Sequence, residues 1–196
     1  MAVVDLEPAA ERMAVLISNV PDERLGGPTP CPEYTVGDLL DHVGSLTLAF
    51  TAAATKSTTG VGSQPASGDA SRLDDDWRTR IPRDLAALAQ AWRDPAAWSG
   101  MTRAGPFDLP GEVAGVVALD ELVIHGWDVA RATGQAFDCD PRSLEAAHGF
   151  VAQMAGPGQE ATREGRFGPA IAVPDDAPLL DRVIGLSGRH PDWSPG

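Results

Sequence analysis

Asp120-Glu121-Leu122-Val123-Ile124-His125-Gly126-Trp127-Asp128 is the stretch on which the reading of this chain turns. It lies in the longest apolar-rich run, with no proline between Gly111 and Arg131. The run predicts a helix from about Gly111 to Thr133, closed by Gly134 as its C-cap. Glu121 and His125 are four residues apart. On a helix they lie one above the other on one face, about 5–6 Å apart at Cβ. A carboxylate oxygen and an imidazole nitrogen at that spacing can close on one metal ion. Such pairs are also common on solvated helices, so the pair needs a third ligand. His42 is the candidate in a comparable setting.

The wheel of this helix gathers Asp120, Glu121, His125, Asp128 and Arg131 on one face, with Leu119, Leu122, Val123 and Ala130 opposite. The simpler reading is an amphipathic helix with its polar face in water. Two details resist it. Val117 and Ile124 interrupt the polar face, and a single turn carries two carboxylates and an imidazole. A mixed polar and apolar lining is what a pocket between helices looks like.

Outward from this stretch the chain reads as helices. Leu6, Ala10, Met13, Ile17 and Val20 fall at helical spacing, with Pro21 as the stop. Thr35 and Asp38 form a capping-box pattern for a second helix. Its stripe is Val36, Leu39, Leu40, Val43, Leu46 and Phe50, and His42 borders that stripe beside Asp38 and Ser45. Residues Thr55 to Asp76, rich in Ser, Thr, Gly and Asp, predict a mobile loop. A third helix is expected over Pro82 to Trp92. The connection Pro95 to Pro110 carries Trp98, Met101 and Phe107 and is expected to pack down on the helices. Asp140 and Pro141 open a fifth helix, with Leu144, Ala147, His148 and Val151 facing inward to about Ala155. The tail from Arg166 is expected to be extended. Asp175 or Asp176 then caps a short last helix through Leu186. No strand alternation of useful length and no internal repeat are present. The expectation is an all-α helix bundle forming one domain over 1–196.

Composition narrows the partners. A hydrophobic content of 43% excludes a disordered chain, and no apolar run reaches the roughly 20 residues that span a bilayer. The N-terminus has no signal-peptide pattern, so a cytoplasmic protein is expected. The net charge of −13 argues against a nucleic-acid surface and against anionic membranes. Two cysteines without a CxxC pair need no bridge in a reduced compartment. Cys31, just before the second helix, could be a thiolate activated by a helix N-terminus or a small residue in a turn. His148 reads as a core histidine and His190, in Gly-Arg-His-Pro, as an exposed one.

Thr29-Pro-Cys-Pro-Glu-Tyr-Thr-Val-Gly-Asp-Leu-Leu-Asp-His42-Val resembles the motif that opens the second helix in actinobacterial DinB-like proteins. These are related to the metal-binding domain of mycothiol-dependent maleylpyruvate isomerase. Glu121-Leu-Val-Ile-His125-Gly-Trp-Asp128 resembles that family's second motif. Phe167-Gly-Pro-Ala, Val-Pro-Asp-Asp-Ala-Pro and Gly188-Arg-His-Pro resemble the tail of one uncharacterised branch. Lys56 is the only lysine, and the arginine, alanine, glycine and proline usage fits a GC-rich actinobacterial genome.

The resemblance implies a DinB-like four-helix bundle with additional C-terminal helices and an extended tail. It maps metal ligands onto His42, Glu121 and His125, which leaves a coordination position open, as catalytic zinc sites do. Two histidines and one carboxylate also suit Ni, Fe or Mn. Asp128, one turn beyond His125, is either an acceptor that orients a ligand or an ion-pair partner of Arg131. The family's isomerase carries a further C-terminal domain that contributes a catalytic arginine. This chain has no room for that domain, so maleylpyruvate isomerisation itself is not expected. The expected function is a divalent-metal enzyme, zinc first, that uses a low-molecular-weight thiol such as mycothiol on a small electrophile. The alternatives are a metal-dependent hydrolase and a non-catalytic metal- or ligand-binding module or sensor. Expected partners are a small-molecule substrate or thiol, with a homodimer left open.

Overall fold

The computed structural model describes residues 3–57, 67–159, 163 and 167–195. In order these form α1 (Glu7–Ser18), α2 (Val36–Ala54), α3 (Trp77–Trp92), β1 (Met101–Ala104), β2 (Phe107–Pro110), α4 (Gly111–Thr133), α5 (Pro141–Met154) and α6 (Leu179–Leu186), with short 3₁₀ turns between several of them. The protein is mostly helical. Both α1 and α2 pack against α3 and α4, α5 packs on α4, and α6 packs on α5. Among the described residues no helix is long and apolar enough to cross a membrane.

Local chemistry sets most of the boundaries. Thr35 and Asp38 exchange hydrogen bonds in a complete capping box at the start of α2. Asp140 accepts from the amides of Arg142 and Ser143 at the start of α5. Gly134, at φ +69°, takes the left-handed conformation that closes α4.

Five expectations are corrected. The fold is not purely helical, because β1 and β2 pair antiparallel in the stretch read as a plain connection. Each strand has four residues, too few for alternation to be legible. The turn between them is Gly105-Pro106, and the positive φ of Gly105 is what the first loop position of a type II′ hairpin requires. Thr102 and Trp98 pack inward, but Met101 and Phe107 are exposed. The third helix begins at Trp77, not Pro82, so the proline sits inside it. Trp77 and Ile81 are buried there, and their burial outweighs the missing amide. Leu46 is half-buried, while Thr47 takes the buried place beside it. The last helix has Pro178, not Asp175 or Asp176, at its N-cap position.

The loop expected over Thr55 to Asp76 falls partly on residues 58–66, which lie outside the described residues, as does Arg166 of the tail. The described end of that loop is not loose. The amides of Gly68, Asp69 and Ala70 donate to the Tyr34 hydroxyl, Asp41 and Asp38. Arg72 pairs with Asp41 at 2.6 Å. The segment is thus fastened to the first turns of α2, beside His42.

Candidate metal centre

The polar face of α4 is not in water. Asp120, His125 and Asp128 are all buried, and Asp128 is 0% exposed. α4 runs through the interior, with every residue from Leu122 to Ala130 buried. The simple amphipathic reading therefore fails, and the polar residues form an internal cluster.

His42 reaches this cluster from α2. One ligand atom each from His42, Glu121 and His125 lie within 4.8 Å of one another, the only such group of metal-binding side chains among the described residues. The imidazoles of His42 and His125 meet edge to face with centroids 5.0 Å apart. Tyr34 lies 5.2 Å from the His42 ring, centroid to centroid. Nε2 of His125 is 3.0 Å from Glu121 Oε2, and Nδ1 is 2.9 Å from Asp128 Oδ2. Each nitrogen of His125 therefore faces a carboxylate.

Asp128 is held in turn by Arg189. Its guanidinium donates through Nη2 to Oδ2 at 3.0 Å and through Nε to Oδ1 at 3.3 Å, a forked pair. Nη1 of the same arginine donates to the Ser187 carbonyl. Of the two readings of Asp128, the geometry follows the contact with His125. Arg131 instead donates to the Trp193 carbonyl and so anchors the tail. Sequence reasoning missed Arg189. It lies in Gly188-Arg-His-Pro, where nothing in the spacing ties the arginine to Asp128, and the neighbouring His190 is exposed as expected. An arginine from the C-terminal segment therefore stands beside the site.

Electrostatics follow from this geometry. Burial opposes charge on His125, yet its hydrogen bonds to Asp128 and Glu121 prevail and hold it up to about 9. Burial also works against the Asp128 carboxylate, but Arg189 and His125 hold its pKa below the usual range. Glu121 is lowered in the same way by His125, His42 and Arg189. Asp120 feels Arg189 and His125 too weakly to follow them. Burial first, then the neighbouring charge of Glu121, pushes its pKa well above the usual value. Its Oδ1 has no hydrogen-bond partner. A neutral carboxyl is the form that such a site tolerates.

Cys31 lies in the turn ahead of α2, within electrostatic reach of Arg189 and Asp128. Burial pushes its thiol up, which favours the small residue in a turn over the activated thiolate. His148 is half-buried on α5 and does not join the cluster.

The donor set fits a divalent metal. Two imidazoles and a carboxylate converge from two rigid helices, and the far nitrogen of one imidazole is already committed to a carboxylate. Residues 6–130 match the family model described as "Mycothiol maleylpyruvate isomerase N-terminal domain". The chain belongs to this family. Two uncharacterized proteins from Mycobacterium tuberculosis strains are each 33% identical over 193 residues, covering 92% of this chain and 93% of the relative. The crystal structure of the mycothiol-dependent maleylpyruvate isomerase superposes with a TM-score of 0.65 at 21% identity, covering 95% of this chain and 88% of that one. A histidine-to-alanine mutant of that enzyme gives 0.57 at 19%, over 78% and 71%. At these identities the likeness is one of fold.

Proposed function

We propose that this member of the family is a divalent-metal-dependent enzyme that uses mycothiol, or a similar small thiol, for transfer to or isomerisation of a small electrophile. The observation that carries the reading is the convergence of His42, Glu121 and His125 to within 4.8 Å, with Asp128 behind His125. Family membership supports the choice of thiol. The chain is read as one DinB-like domain over 1–196, with α1 to α4 as its four-helix bundle. A cytoplasmic location goes with this reading.

His42, Glu121 and His125 would hold the metal, zinc first, with Ni, Fe and Mn also suited to the donors. When bound, it supplies a Lewis-acidic centre that favours a deprotonated thiol or polarises a carbonyl. The rest is done by the chain. Asp128 accepts a hydrogen bond from Nδ1–H of His125, which would leave Nε2 as the nitrogen for a metal. Arg189 fixes Asp128 and keeps it ionised. The buried face of α4 keeps water away from these contacts, which strengthens them. Glu121, with its side chain 30% exposed, and the half-buried His42 are the members that open toward solvent, so small molecules approach on their side. Burial raises the pKa of the Cys31 thiol and so disfavours its thiolate, which supports an external thiol as the nucleophile.

The test is metal analysis of protein purified without a chelating tag, followed by mycothiol titration of the cobalt form. One equivalent of metal, a thiol-induced change in the cobalt spectrum and thiol-dependent turnover in an electrophile panel are expected. Metal without either thiol response overturns the thiol reading and leaves the hydrolase and the ligand-binding module to be tested.

A further inference from the structure

The C-terminal segment reaches the metal cluster through a single turn. α6 ends at Leu186, and the chain leaves it by a Schellman cap. The Gly188 amide donates to the Gly185 carbonyl at 3.0 Å, and the Arg189 amide donates to the Ile184 carbonyl at 3.0 Å. Gly188 has φ +85°, the left-handed conformation that this cap requires at its place. Arg189 is thus the first residue beyond the left-handed one, and the cap sets the direction in which it leaves the helix.

The cap is clamped from outside. A Cβ at Gly188 would stand 2.8 Å from the backbone of Gly168, so the extended tail packs directly on the turn. Arg163 spans that contact, because its Nη2 donates to the carbonyls of both Gly168 and Leu186. Its guanidinium carbon lies 5.5 Å from the centre of the Phe167 ring. Arg163 is buried, and among the described residues its guanidinium meets these carbonyls and the ring, not a carboxylate.

We infer that the cap centred on Gly188, with Arg163 as its clamp, positions the metal centre from outside it. The cap aims Arg189 at Asp128, and Asp128 sets the ring of His125. This rests on the metal-site reading above only in taking that ring as a ligand. An arginine side chain is long enough to reach one carboxylate from several backbone positions. Here that freedom is gone. The Arg189 amide is tied to Ile184, and Nη1 is tied back to the Ser187 carbonyl at 3.1 Å. Both ends of the residue are therefore referenced to the cap, and a shift of the turn carries the fork with it. The fork has little slack, since its Nε–Oδ1 arm is already 3.3 Å long and such bonds weaken steeply when bent. On the far side, Arg131 of α4 holds the Trp193 carbonyl at 2.8 Å, so α4 grips the segment on both sides of His190.

The experiment uses the full chain in four variants: Gly188→Ala, Arg163→Met, Arg163→Lys and Gly158→Ala. Gly158 is the control, another left-handed glycine at φ +82° with open space where a Cβ would stand. Circular dichroism checks folding. In the metal-free protein, the NMR signal of the Nδ1–H group of His125 should shift or broaden in Gly188→Ala and Arg163→Met and stay in place in Gly158→Ala. Zinc affinity, measured against a competing chelator, should fall about tenfold in Gly188→Ala, the lower end of the usual loss when an outer partner is misplaced. It should fall less in Arg163→Met, recover in part in Arg163→Lys, and hold in the control. An unmoved His125 signal with undiminished zinc affinity in both Gly188→Ala and Arg163→Met would overturn the inference. So would an equal loss in Gly158→Ala, which would make the effect one of general strain. If Gly188→Ala does not fold, the two Arg163 variants decide by the same readouts. Failure of every protein to bind zinc, the parent included, with the His125 signal still moving, would instead overturn the metal-site reading and leave the positioning role standing.

Discussion

The carboxylate of Asp128 lies 2.9 Å from Nδ1 of His125, and it is fully buried. Because the carboxyl is held ionised by Arg189 and His125, only the ring can donate in this contact. Asp128→Asn keeps the shape but weakens the acceptor and brings an amide N–H group toward Arg189 or His125. Metal affinity should fall by about 10–100-fold, the usual cost of losing such an outer partner. Titration with a competing chelator measures it. Unchanged affinity would remove Asp128 from the site.

His125 stands at the centre of the cluster, so His125→Ala should abolish stoichiometric metal. His190→Ala should leave it intact, because His190 is exposed and makes only a local contact with the Asp192 amide at 3.2 Å. Metal analysis of the two variants beside the parent decides it. A full equivalent in the His125 variant would sink the ligand assignment.

The raised pKa of His125 makes metal binding pH-dependent, with a definite sign. In the metal-free protein the imidazole is charged up to about pH 9, whereas an ordinary histidine is charged only below about 6.5. A ligand must be neutral, so below about 9 the metal displaces a proton. Affinity should therefore rise with pH, by up to tenfold per unit, and level off above about 9. In the metal-free protein the same shift favours folding. That contribution is fully present below about 6.5 and is lost as pH rises through about 9. Calorimetry in buffers of different ionisation heat should detect the released proton at pH 8. No proton release there would contradict the assignment.

What the sequence made legible was local. The capping box at Thr35 and Asp38, Asp140-Pro141 ahead of α5 and Gly134 after α4 each act within a few residues, and each is where the pattern placed it. Glu121 and His125 were legible for the same reason, as a pair one turn apart. Their meeting with His42 came from the family resemblance, since nothing in the spacing joins α2 to α4. Burial of the polar face of α4 was not legible, because it depends on the C-terminal segment that carries Arg189 to Asp128 across 61 residues. The hairpin escaped because strands of four residues show no readable alternation. Pro82 misplaced the start of α3 because the burial of Trp77 and Ile81 is a tertiary effect.

The apolar stripe of α2 is graded in a way that truncation should reveal. Leu39 is fully buried, while Leu46 is half-buried. Leu39→Ala should cost about 2–5 kcal/mol, the range for a buried leucine that leaves a cavity. Leu46→Ala should cost clearly less, since the site is already open to solvent on one side. Urea unfolding of the two variants gives the comparison. Equal costs would mean that Leu46 is packed as tightly as Leu39.

Arg189 joins the C-terminal segment to the cluster of Asp128, His125 and Glu121, and its replacement tests that link. The guanidinium is 8% exposed and makes a forked pair with a carboxylate that is 0% exposed. Arg189→Ala would leave Asp128 with His125 alone inside the protein. Breaking a buried pair from one side costs about 3–5 kcal/mol, because the remaining charge is left uncompensated. Arg189→Lys restores the charge but offers one ammonium where two parallel N–H groups stood, so it should recover only part of that loss. Asp128→Asn combined with Arg189→Ala should be less destabilised than the sum of the two single changes, since the second removes a partner already lost. Urea unfolding of this double-mutant cycle measures the coupling, and metal titration of Arg189→Lys shows whether the alignment of Asp128 reaches His125. Additive stabilities would mean that the pair is not coupled. Undiminished metal affinity in both arginine variants would mean that Arg189 holds the tail in place without acting on the metal centre.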